Sequence, residues 1–156
     1  MARYNRWQNE NLYEAAAGLT DEARRHERGA FFGSIHGTLS HLLWGDSVWM
    51  HRFSGSPLPQ GGIKDSATLC ADWDDLVLRR KDLDEAIVRW SVDLTPPALE
   101  GSITWYSGAL GREVTRPTWA LIAHFFNHQT HHRGQVHAML TAAGAKPGDT
   151  DLMIIA

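Results

Sequence analysis

The stretch PTWALIAHFFNHQTHHRGQVHAMLTAA, residues 117–143, decides how this chain is read. Pro117 suits the first helical position after Arg116, where its missing N–H has no helical partner to lose. Gly144 supplies a C-terminal stop. Five of the nine His residues fall between positions 124 and 137. His128 and His132 are four residues apart, which puts their Cβ atoms about 5–6 Å apart on one helical face. Two imidazoles so placed reach one ion at a Zn–N distance of about 2.1 Å. His124 and His128 share the spacing, so spacing alone does not choose the pair.

The helical wheel does. At roughly 100° per residue, with His128 at zero, Leu121 and Met139 fall at roughly +20°, Phe125 at roughly +60°, Val136 at roughly +80°, and Ile122 and Leu140 at roughly +120°. The apolar face is thus centred at roughly +70°, with His132 inside it at roughly +40° and His128 at its edge. His124, His131 and His137 fall outside it. His128 and His132 are therefore the inward pair. Gly134 interrupts the same helix at a cost of about 1 kcal/mol relative to Ala. That predicts close backbone approach by another helix or a second subunit. Arg133 reads as structural.

Working outward, residues 34–53 form the next strongest helix. Ile35, Leu39, Leu42, Trp49 and Phe53 follow a 4-3 seam, and Asp46 is the one acid on it. A residue there either orients a His or pairs with an Arg or a Trp N–H. His36, His41 and His51 are candidate third ligands. His41 is central, on a stripe of small neighbours (Ser34, Thr38, Gly45) that lets a helix or ligand come close, and the other two lie nearer the rims. Residues 54–62 are a Gly- and Pro-rich loop. Residues 66–90 are expected to form one continuous helix, with Leu69, Trp73, Leu76, Leu83, Ile87 and Trp90 on its seam and Arg80 among them. Residues 2–18 read as the first helix, and Thr20 as the cap of a short turn. Thr95-Pro96-Pro97 ends the third helix. Residues 103–107 and 112–115 read as two strands around a Gly-containing turn, a hairpin that must pack on the helices because alone it is marginal. Trp44, Trp49 and Trp105 are candidates to line a pocket.

Four long helices in 156 residues predict an all-α four-helix bundle with a small β-hairpin before the last long helix. The length suits one domain spanning residues 1–156. A chain of this size needs no metal merely to fold, so a metal site here is functional. Cys70 is the lone Cys; it excludes an intrachain disulfide and a Cys-rich zinc site and reads as a small core residue. The net charge of -3 offers no footprint for nucleic acid. No apolar run reaches the ~18 residues that span a bilayer, and the N-terminus lacks a signal-peptide core. No nucleic-acid or membrane partner is expected, and the cytoplasm is the expected location.

The segment HFFNHQTHHRGQV (124–136) and the block GAFFGSIHGTLSHLLWGD (29–46), followed by Trp49 and Arg52, resemble the signatures of the DinB/YfiT-like metalloenzyme family, and GDTDL (148–152) also fits. The resemblance covers essentially the whole chain. It implies a four-helix bundle, commonly a homodimer, that holds one divalent metal by three His. Carried over by position, the ligands are His41, His128 and His132. Three imidazoles suit zinc, nickel and iron alike. Thiol-dependent transferases and a thiol-dependent isomerase in the family imply a low-molecular-weight thiol as cofactor and a small molecule as substrate. Two readings follow: a metal-dependent enzyme that activates a thiol or water for transfer or hydrolysis, or a non-catalytic metal-binding stress-response protein.

Overall fold

The computed structural model describes residues 1–108 and 110–155. Helix α1 spans Ala2–Ala17, and Thr20 caps the short α2 (Asp21–Arg25) by accepting the Ala23 N–H at 3.1 Å. Helix α3 (Ile35–Ser54) starts at Ser34, whose Oγ accepts the Gly37 N–H, and stops at Gly55 in the left-handed region with φ 72°, a conformation that favours Gly.

The continuous helix expected over residues 66–90 is two pieces. Ser66–Thr68 form a single 3-10 turn, and α4 runs from Trp73 to Val92 with Asp72 capping it through the Asp75 N–H. The backbone carbonyls of Ser66 and Cys70 are bonded to side chains of α3. Ser40 Oγ donates to the Ser66 carbonyl at 2.9 Å, and His36 Nε2 meets the Cys70 carbonyl at 2.7 Å. Tertiary bonds therefore override the apolar periodicity that extends through Leu69.

A four-residue helix, α5 (Pro96–Leu99), follows where only an ending was expected. The hairpin pairs β1 (Ser102–Ser107) with β2 (Arg112–Pro117) in antiparallel register, Trp105 opposite Val114. Ala109 of the expected turn lies outside the described residues. Pro117 closes β2 and stands just before α6 (Thr118–Ala142), with φ -58° and ψ 135°, so the helix begins one residue later than expected.

Helix α1 packs on α4 and α6, and α3 packs on the same two, so the four long helices form a ring in which α1 and α3 face each other across the diagonal. Leu12, Ala16, Leu39, Leu43, Leu76 and Val136 fill one end of the core. Met50, Ile87, Leu121 and Phe125 fill the other, where the hairpin's Trp105 also packs, and Leu83 touches both clusters. No helix among the described residues is long and apolar enough to cross a membrane.

A buried polar thread links the long helices through this core. Arg80 Nη1 donates to Asp46 at 2.7 Å, and its Nη2 pairs with Asp84 at 2.9 Å. Asn9 donates to both Asp84 oxygens, and Arg133 donates to Asn5, which also reaches Asp84. Asp46 is 1% exposed and Arg80 3%, so each charge depends on its partner to offset desolvation. Burial raises the Asp46 pKa, and the adjacent guanidinium acts in the opposite direction.

Candidate metal centre

His41 from α3 and His128 and His132 from α6 converge across one helix seam, with one ring nitrogen of each within 4.8 Å of the others. His41 Nε2 and His128 Nε2 are 3.3 Å apart. Two nitrogens on a tetrahedral ion at about 2.1 Å would be separated by roughly 3.4 Å. The spacing of this pair therefore fits the metal that three His residues imply.

The far sides of two rings fix which nitrogen is free. Ser66 Oγ donates to the Ile63 carbonyl at 2.7 Å. It must then accept from His41 Nδ1 at 2.8 Å, which puts the proton on Nδ1 and leaves a lone pair on Nε2. Gln135 Oε1 accepts from His132 Nδ1 at 2.8 Å with the same result. Partners of this kind set the tautomer and raise ligand basicity. The Nδ1 of His128 is buried without a partner.

The surroundings keep the rings neutral. Burial, then the neighbouring His132 and His128, lowers the His41 pKa to about 3. Burial, then His132, lowers His128 to about 4. Burial is also the largest cause of the lowered value at His132. Phe32 lies on the His41 ring with centroids 3.6 Å apart and planes 16° apart, and meets His132 edge-on at 5.4 Å. His41 and His132 are buried while His128 is half-buried, so the cluster reaches solvent on the His128 side.

The other His residues do not join. His124 is exposed and packs edge-on against Trp49 at 5.2 Å. His131 is exposed. His36 is not at a rim: it is 2% exposed and bonded to the Cys70 carbonyl. His51 is exposed and bonds the Ser56 carbonyl. Asp46 pairs with Arg80, the Arg alternative of the two considered for it. Within this chain Gly134 does not mark close backbone approach, since a Cβ there would meet nothing within 4 Å. That role belongs to Gly45, which faces His128. Cys70 is buried, and burial pushes its thiol up to about 11. A cavity of about 420 Å³ opens between α1 and α4, on the opposite seam of the bundle.

Ser66, Gln135 and Phe32 are the functional neighbours that sequence reading missed. Gln135 carried a signal, three residues after His132 on the same helix. Ser66 reaches the cluster from the 3-10 turn that the apolar pattern assigned to a longer helix, and Phe32 from the turn before α3.

A family profile described as the DinB family matches residues 1–155. The chain is 29% identical over 155 residues to Protein DinB of Bacillus subtilis (strain 168), covering 95% of this chain and 87% of that protein. No solved structure matches. With the profile spanning nearly the whole sequence and the histidines of both signature blocks meeting at one point, this chain belongs to the DinB family.

Proposed function

We propose that this chain is a metal-dependent enzyme in which His41, His128 and His132 hold one divalent ion, with zinc, nickel and iron all suited to the donor set. In this reading it activates a small thiol, or water, for group transfer on a small-molecule substrate, as a cytoplasmic homodimer. The observation that carries it is the pair of Nε2 atoms 3.3 Å apart, one with its lone pair turned inward by Ser66. An ion bound by three neutral imidazoles keeps its full positive charge and lowers the pKa of a thiol or water beside it.

The protein's own side chains do the holding. Ser66 and Gln135 keep protons on Nδ1 of His41 and His132, and Phe32 covers one face of the His41 ring. None of the nearby hydroxyls or the thiol is poised to attack a substrate. Ser40 Oγ donates to the Ser66 carbonyl, Thr130 Oγ1 donates to the Phe126 carbonyl, and the Cys70 thiol is buried and held protonated. An external nucleophile fits that arrangement.

The test is a panel of thiol-transfer and hydrolytic substrates assayed with protein of known metal content. Activity should vanish on chelation and return with added metal. Metal-loaded protein that neither takes up a thiol nor turns over any substrate would leave the non-catalytic metal-binding role as the better account.

A further inference from the structure

Beyond the histidines, the α3–α6 seam leads to a cation set against two aromatic rings. His41, Gly45 and Arg52 share one stripe of α3: at about 100° per residue, Gly45 sits roughly 40° and Arg52 roughly 20° from His41. The Arg52 guanidinium carbon lies 4.4 Å from the Trp49 ring centroid and 5.0 Å from that of Trp105. Trp49 comes from α3 and Trp105 from β1, and the two rings meet edge to face at 5.8 Å. His124 packs on Trp49 at 5.2 Å, and His128 follows 5.8 Å further on. A line of touching rings therefore joins the guanidinium to the three-histidine cluster.

The other buried or half-buried guanidinium groups have polar partners. Arg80 has Asp46 and Asp84, Arg133 has Asn5 and Thr130, and Arg24 has the Ala16 and Leu19 carbonyls. Among the described residues, Arg52 has neither a carboxylate within ion-pair distance nor a hydrogen-bond acceptor. Both ring centroids are within about 6 Å of the cation, the range in which cation–π attraction acts. Its N–H donors have no partner among the described residues, and a guanidinium fork can take a carboxylate through two parallel bonds.

We propose that Arg52 is the anion-binding subsite of this centre and receives a carboxylate on a substrate whose opposite end reaches the histidines. This rests on the reading of His41, His128 and His132 as an enzyme's metal site. The guanidinium lies over Trp49, eight residues past His41 on the same helix, which is about 12 Å of helical rise. The substrate class is therefore an extended molecule with a carboxylate roughly 10 Å from its reactive group. The hairpin acquires a purpose as well: it brings Trp105 beside the cation, next to Trp49.

The test uses cobalt-loaded protein and two series of thiols with spacers of increasing length, ω-mercaptocarboxylates and the matching ω-mercaptoalcohols. Cobalt–thiolate absorption reports binding at the ion. The indole N–H signals of Trp49 and Trp105 in NMR spectra report occupancy at Arg52. The carboxylate of matching length should bind about tenfold tighter than its alcohol, a size expected for a charge-assisted bond. The preference should weaken with salt, disappear in Arg52→Met and survive in part in Arg52→Lys, which keeps a cation over the rings. Equal binding of acids and alcohols, or a preference that persists in Arg52→Met, overturns the assignment. If no thiol alters the cobalt spectrum, thiol activation fails separately, and the indole signals still decide the subsite. Shifts with the acid and not the alcohol support it, and no shift overturns it.

Discussion

A Cβ placed on Gly45 would stand 3.1 Å from Cε1 of His128. The bare backbone of α3 at this point lets an α6 imidazole lie against it and face His41. Replacing Gly with Ala inside a helix is worth about 1 kcal/mol in propensity, so Gly45→Ala should leave the metal-free fold as stable or more so. The added methyl must move the His128 ring by a few tenths of an ångström, and His128 Nε2 moves with it. The expected result is an unchanged or higher melting temperature without metal, together with metal affinity lower by about tenfold. Thermal melts and a chelator-competition titration measure the two effects separately. Unchanged affinity would place the ion elsewhere.

Ser66→Ala removes the acceptor that fixes the proton of His41 on Nδ1. Loss of such a partner lowers metal affinity by about 10- to 100-fold, and Ser66→Thr, which keeps a hydroxyl, should restore much of it. The same competition titration decides. Ser66→Ala protein that binds metal as tightly as the original would show that the hydroxyl does not orient the ring.

Arg80→Met leaves Asp46 and Asp84 facing each other in the core without their shared cation. Removing one partner of a buried pair costs about 3–5 kcal/mol. Denaturant unfolding should show a loss of that size. The double change Asp46→Leu with Arg80→Met should recover part of it, because the carboxylate stranded beside Arg80 on α3 is gone. A loss under 1 kcal/mol, on the order of a surface pair's worth, would show that the thread is not holding the helices.

Much of this site was legible because its ligands sit on long helices with a clear apolar face. The wheel separates His128 and His132 from His124, and the structure leaves His124 exposed and outside the cluster. Asp46 and Arg80 each stood out as a charge on an apolar seam, but that they meet is a fact of tertiary packing. Ser66 was hidden for a different reason. The apolar pattern through Leu69 extended a helix over it, whereas bonds from Ser40 and His36 hold that segment against α3. The buried face of α6 is also wider than its apolar residues suggest. Gln129 and Arg133, at roughly +100° and +140° on the wheel, are buried polar groups facing the thread. Gly134 meets no other helix of its own chain, because its open side faces away from the packed core.

Phe31, Trp119 and Met153 are 82%, 62% and 81% exposed, a large apolar display for a chain of 17.5 kDa. A homodimer that covers some of it should scatter light as a particle of twice that mass at micromolar concentration. A single-chain mass under those conditions would count against the dimer.

The last prediction concerns pH. An ordinary His titrates near about 6.5, whereas burial lowers His41 to about 3 and His128 to about 4 and lowers His132 as well. These are depressed values, so the neutral form is the one the fold favours. As pH falls through about 6.5 the unfolded chain takes up protons that the folded triad refuses. Metal-free stability should therefore be fully present above that point and decline steadily toward pH 4. Metal binding to the folded chain should behave differently. Only protonated imidazoles fail to ligate, and His41 and His128 are already deprotonated well below neutrality. Affinity should then change by less than about tenfold between pH 8 and pH 6, with few protons released at pH 7. Competition titrations across that range, with calorimetry at pH 7 in two buffers of different ionisation enthalpy, measure both quantities. A steep loss of affinity above pH 6, or release of one or more protons at pH 7, would mean that the rings are not held neutral and that the pocket does not prepare them for an ion.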